Sequence, residues 1–432
     1  MSLKQMLLGK DNNRLLSMQN IGIVLVCFYI LTSFVAVNIG ISSKLNSVAL
    51  ILMLFWTALC VIRSWKTKEF PISGYTAWYF VFMMVSFVTM TYSPELNILS
   101  GEFYLMIVSF IVTFSIINFV KKGNHFKIIA YVYIISAVIL VVMLYAKGML
   151  NGSESDRLGG SIMGNANTFA LMMMVATMLG IWLLLYGSSK KDFYFNFLNK
   201  CYVVIKVLLC VAIVVCLYAI VLSGGRKYFI LPFLFFYILL VFKKDRHGRT
   251  HFWLYTAIII GVIVVAYLLI MHVKPLYNAL GYRVERFLQG TFGNGELDGS
   301  SVLRTEMQQY AMDMWIKSPL FGYGFDSFKY YNAEYTGHFY YSHCNFTEIL
   351  FNGGLLLFVA YYYFFFYMAR KIIKAKDVDT KYRVFALAIL ICTLIFDFMG
   401  IGYSANIIQI ALALSCKVLD FKKEESLEVK NG

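Results

Sequence analysis

Charge is what this sequence has least of. Of its 432 residues only 14% are Asp, Glu, Lys or Arg, while 60% are hydrophobic and the mean hydropathy is +0.70. Soluble domains carry about 25% charged residues, so a soluble globular protein is excluded and a polytopic membrane protein is required. Other things are missing too. Seven of the eight cysteines lie inside or beside apolar runs, where the thiol behaves as a small hydrophobe. Cys344, the eighth, has no partner nearby in the sequence, so no disulfide framework is implied. There is no repeat of solenoid period and no low-complexity tract. His338, His343, Cys344 and Glu348 are close in sequence, but their spacing fits no zinc pattern, so the expectation is no metal and no cofactor. The stretch from Thr32 to Ile41 offers no cleavage site, and the first apolar run is expected to stay as a span.

What is present is a succession of apolar runs near the length of about 20 residues that a bilayer-crossing helix needs. They lie at 17–38, 45–62, 74–92, 103–120, 128–146, 167–186, 201–222, 227–242, 252–272, 345–367, 384–402 and 405–419. The expected fold is an all-α polytopic membrane domain over residues 1–432, with about 12 spans and one large inserted loop, 273–342, between the ninth and tenth. With the N-terminus inside, cytoplasmic segments collect 26 Lys/Arg against 11 on the other side, and acidic residues divide 10 to 12. By the positive-inside rule both termini are cytoplasmic and the large loop faces outward. The net charge of +15 is then a topology signal with an attraction to anionic membrane lipids, and nucleic acid is a poor partner.

The large loop is too long to be a mere connection. Leu276, Leu280, Val284 and Phe287 recur at helical spacing beside Arg283 and Arg286, the pattern of an amphipathic helix at the membrane surface. A second helix is predicted from about Val302 to Lys317, with Ser300 or Ser301 as N-cap and Arg304 in its first turn. A cation there opposes the helix dipole unless an anion binds nearby. Pro319 and the glycines of LFGYGF then turn the chain.

Five arginines fall on the outer side: Arg157, Arg226, Arg283, Arg286 and Arg304. Each alone reads equally well as a snorkelling anchor or a surface ion pair. Together, next to a histidine at the mouth of a span, they favour an anion site, because guanidinium matches phosphate with two parallel hydrogen bonds. His343 reads either as an interfacial helix-capping residue or as a general base. Asn167 is a plausible N-cap for its span, in the loop segment that also holds Arg157 and Asn165. Asp397, the one carboxylate deep in a span, reads as a buried structural partner of an outer arginine or of Asn406.

The run SVLRTEMQQYAMDMWIKSPLFGYGFDSF, followed by SHCNFTEILFNGGLLLF, resembles the signature region of the O-antigen polymerase and ligase family. The LSGGR turn resembles that family's Ser-rich Arg motif, and RLGGSIMGNAN its Arg…Asn-Pro-Asn element, with Ala166 where proline is usual. The resemblance implies a metal-independent, inverting glycosyltransferase of the GT-C type in the bacterial cytoplasmic membrane, with its active site outside. Its donor would be an oligosaccharide on undecaprenyl pyrophosphate, and other polysaccharide-assembly proteins would be further partners. It casts His343 as base and Arg226 and Arg304 as holders of the pyrophosphate, with Arg157, Asn167, Arg283, Arg286 and Asn345 binding substrate. Polymerase is favoured over ligase. A transporter of lipid-linked sugars is the rival of a different class, disfavoured because charge gathers in a loop instead of at the bilayer midplane.

Overall fold

The computed structural model describes residues 18–35, 43–64, 72–96, 101–149, 158, 165–187, 201–243, 250–292 and 299–421. Among these the structure is α-helical, and each of the twelve predicted spans is a helix: α1 (Met18–Val35), α2 (Ser43–Ser64), α3 (Gly74–Met90), α4 (Gly101–Phe119), α5 (Gly123–Ala146), α6 (Ala166–Trp182), α7 (Tyr202–Leu222), α8 (Arg226–Val241), α9 (Phe252–His272), α13 (Asn345–Lys374), α14 (Thr380–Asp397) and α15 (Asn406–Val418). Among the described residues eight helices are long and apolar enough to cross a membrane. The others are shorter or carry more charge at one end, and they are held by packing.

The bundle is built around α6. Of its apolar window 83% is buried, against 11% for α9, which lies at the periphery against α8 and the turn that follows α9. The sequence ANTFALMMMVATMLGIW explains this. Small residues allow close helix approach, as where Gly180 faces Ile213 and Ile134, and methionines fill the irregular gaps left between neighbours. Helices α5, α7, α8 and α15 pack on it.

Among its described residues the large loop folds as three helices after two short turns. The chain leaves α9 through a helical turn and a π-helical turn (Tyr277–Gly281), then forms α10 (Tyr282–Phe292), α11 (Gly299–Lys317) and α12 (Phe328–Thr336). The predicted amphipathic stretch is helical; Leu280 is buried, Leu276 and Val284 pack on the core, and Phe287 is exposed. Helix α11 begins at Gly299, ahead of both serines predicted to cap it. Arg304 therefore stands in the second turn, where the helix dipole matters less than expected.

Helix α13 is not the continuous span predicted. It breaks at Gly353 (φ −140°, ψ 15°) and Gly354 (φ 60°, ψ −158°) and runs on to Lys374. The loop Pro319–Gly324 fills the break. Tyr323 and Gly324 N–H donate to the carbonyls of Phe351 and Asn352 at 2.9 and 2.8 Å, and Leu355 and Leu356 N–H donate to those of Pro319 and Leu320 at 2.8 and 3.2 Å. Backbone groups freed at membrane depth need such partners. Asn352 adds a cap, its Oδ1 accepting from Ser327 and Phe328 N–H at the start of α12. A Cβ on Gly354 would lie 2.4 Å from Leu320 backbone atoms. Gly354→Ala is thus expected to cost at least about 1–3 kcal/mol from backbone strain alone, read as a lower thermal midpoint of the detergent-solubilised protein. Gly337→Ala, also at positive φ but with nothing within 4 Å, should cost no more than about 1–2 kcal/mol.

Candidate active site

One end of the bundle collects the starts of α4, α6, α8 and α13, the end of α14 and the described part of the inserted loop. His343 sits there, just before α13. It is half-buried and in the left-handed region, at φ 60°. A non-glycine residue holds that conformation at a cost of roughly 1–3 kcal/mol only if its surroundings enforce it. Here the enforcement is visible on both sides. Ser342 N–H donates to Glu348 Oε2 at 2.7 Å, Ser342 Oγ donates to the Cys344 carbonyl at 3.0 Å, and Thr347 Oγ1 donates to that same carbonyl at 3.2 Å. The imidazole lies 4.7 Å from the Tyr341 ring. Burial first, then the charges of Arg304 and Lys227, push its pKa down to about 3. The ring is therefore neutral at pH 7 and can accept a proton, as a general base must.

The arginines form two groups. Arg304 belongs with His343. Arg226 meets the inserted loop: its Nη1 donates to the Arg283 carbonyl at 3.0 Å, and its guanidinium lies 5.1 Å from the Phe287 ring centroid. Arg283 and Arg286 both lie over Tyr282, at 5.7 and 5.8 Å, and Arg283 Nε donates to the Tyr282 hydroxyl at 3.0 Å. Arg157 lies outside the described residues.

Two asparagines depart from their expected places. Asn165, not Asn167, caps α6, its side chain accepting from Asn167 N–H at 2.8 Å. Its shorter reach to the first free amides decides this; Asn167 is already the second helical residue and is half-buried. Nearby, the Tyr341 phenol is pushed up by burial first and then by Glu102. Asn345, expected to bind substrate, is fully buried and points inward. Its Oδ1 accepts from Gly402 and Tyr403 N–H at 2.9 and 3.2 Å, and its Nδ2 donates to the Tyr362 hydroxyl at 3.1 Å. Tyr362 in turn donates to Asp397 Oδ2 at 3.2 Å. Asp397 is thus tied to α13 and not to an arginine or to Asn406, whose Nδ2 donates to the Tyr29 hydroxyl.

Several residues at this end carried no expectation from the sequence. Lys227 is one. Asp326, at φ 61°, is another; its carboxylate accepts from Lys329 Nζ at 2.7 Å and from Glu102 N–H at 3.4 Å, and burial pushes its pKa up. Glu102 itself accepts from the Ser404 hydroxyl. The signal for Lys227 was available: a second cation beside Arg226 at the start of a short span, after a two-glycine turn.

Fold and site together define an all-α polytopic membrane protein with a neutral histidine among cations at one end, beneath a helical loop. Residues 211–362, from within α7 to the middle of α13, match the family model described as O-antigen ligase, which supports the O-antigen polymerase and ligase family for this chain. The matched segment contains Arg226, Lys227, Arg304 and His343. No curated protein matches the chain.

Proposed function

We propose that this protein is an inverting, metal-independent glycosyltransferase of the cytoplasmic membrane that joins undecaprenyl-pyrophosphate-linked oligosaccharide repeats into a surface polysaccharide. The observation that carries the reading is His343, held neutral beside Arg304. In the proposed step the acceptor hydroxyl attacks the anomeric carbon from the face opposite the leaving group. The new bond is from acceptor oxygen to carbon, the bond from carbon to phosphate oxygen breaks, its electron pair leaves with the pyrophosphate, and the acceptor proton goes to His343. Developing phosphate charge is what fixed cationic donors stabilise. The charge distribution supports an active end facing outward and both termini inside.

A second reading, transfer of a finished glycan to another acceptor, is favoured by the matched family's description as O-antigen ligase. The lipid-linked species in a strain lacking this protein separate the two. Single repeats accumulating outside are expected; full-length lipid-linked polymer would mean ligase, and single repeats held inside would mean a transporter. Purified protein is expected to keep its activity in EDTA, and loss restored by one divalent ion would refute the metal-free step.

A further inference from the structure

We propose that Glu348, one turn into α13, is a positioning residue for His343, and that through Asn352 it ties the placing of the imidazole to the seating of the inserted loop. The inference rests on the reading of His343 as the base and adds what holds it.

Glu348 stands in the first turn of α13, where a carboxylate meets the positive end of the helix dipole. A glutamate at a helix start commonly reaches back to the amide of the cap residue. The cap here is Cys344, and Glu348 reaches past it, its Oε2 accepting from Ser342 N–H at 2.7 Å. That bond closes a ring of chain over residues 342–348, and His343 is the residue within it at φ 60°. Ser342, Cys344 and Asn345 are buried while His343 is half-buried. Release of Ser342 N–H lets His343 relax out of the left-handed region, and the imidazole moves with it.

A carboxylate only 2% exposed needs more than one donor. The other oxygen, Oε1, accepts from Asn352 Nδ2 at 3.4 Å, one helical turn on. Asn352 is fully buried, and its Oδ1 accepts from Ser327 and Phe328 N–H, both at 3.2 Å, where α12 begins. Its carbonyl takes Gly324 N–H at 2.8 Å. A relay of hydrogen bonds therefore runs from the inserted loop through Asn352 and Glu348 to the residue before His343. Both side chains of the relay are buried, so they act on the reaction by placing the base and not by touching substrate. A displaced loop takes away the amides that orient Asn352, and Asn352 then turns away from Glu348.

The test uses full-length protein in nanodiscs and, as donor, the lipid-linked oligosaccharide that accumulates in the strain lacking the protein, with single-turnover rates for slow variants. Glu348→Met removes both acceptor oxygens at nearly constant volume. It is expected to lower kcat by about 10- to 100-fold, the effect of an ångström-scale misplacement. Donor KM should stay within about threefold of wild type, because the base moves and the donor contacts do not. Glu348→Gln keeps an acceptor for Ser342 N–H and should recover kcat to within about threefold of wild type. Asn352→Ala cuts the relay at the loop and should lower kcat by about tenfold. The deciding measurement is a double-mutant cycle. In a His343→Ala background, Glu348→Met and Asn352→Ala should each cost less than about a further twofold, since nothing is left to position. The Asn352→Ala cycle carries the test alone should Glu348→Met not fold. Losses that multiply, a donor KM that rises while kcat holds, or wild-type kcat in Glu348→Met would overturn the assignment and leave the base standing. Glu348→Gln as slow as Glu348→Met would show that the charge itself acts, and would refute positioning. Wild-type kcat in His343→Ala would remove the base and this inference together.

Discussion

Replacement of His343 by alanine is expected to slow glycosyl transfer by about 10²–10⁴-fold, the usual contribution of a positioned base, while donor affinity persists because the cations around it remain. The pH profile supplies the sharper signature. Burial and two positive charges hold the imidazole near a pKa of about 3, and removing a positive field favours the charged form. A bound pyrophosphate cancels that field, so the pKa must rise on donor binding. The acid limb of kcat, which reports the bound complex, should therefore lie at higher pH than that of kcat/KM, which reports the free enzyme. The base is weak until the donor is seated and strengthens when it arrives. Limbs in the reverse order, or a collapse of donor affinity in His343→Ala, would show that the histidine binds the donor instead of moving the proton.

Arg304→Lys is expected to lose most of its activity although the charge is kept. A charge-assisted hydrogen bond contributes about 1.5–3 kcal/mol, so losing the two-pronged geometry of guanidinium on phosphate predicts a fall of roughly 10- to 150-fold in kcat/KM. Arg304 is half-buried one turn before Met307, and α11 is anchored without it by the separate cluster of Met307, Ala311, Phe328 and Phe351, so the variant should fold. Equal activity in Arg304→Lys and wild type would return this residue to the role of a surface anchor. The unfolding midpoint should move little, which separates this loss from that of Gly354→Ala.

The membrane fold was legible because lipid leaves few options: each span must be long, apolar and helical, and such runs are read directly. Arg304 and His343 were also legible, as cations and an imidazole in a place that apolar sequence does not explain. What escaped was orientation. Asn345 stands two residues from His343, but a residue's distance along the chain does not tell which way its amide points, and this one points into the bundle. Lys227 reads in the sequence only as the first residue of the apolar run 227–242. The break in α13 was half legible. The two glycines were evident, but their partner, Pro319–Gly324, lies about thirty residues earlier, and only the folded chain brings the two together.

That break has a consequence for how such proteins can be recombined. The inserted loop is plugged into a membrane helix by four main-chain hydrogen bonds, and Gly322, at φ 64°, has room for no side chain against the Phe351 carbonyl. Plug and socket are separate in the gene but one object in space. A chimera that borrows residues 299–342 from a relative to change the glycan it handles inherits a plug cut for another socket. Only an exchange that carries 345–356 along with the loop transfers a complete part.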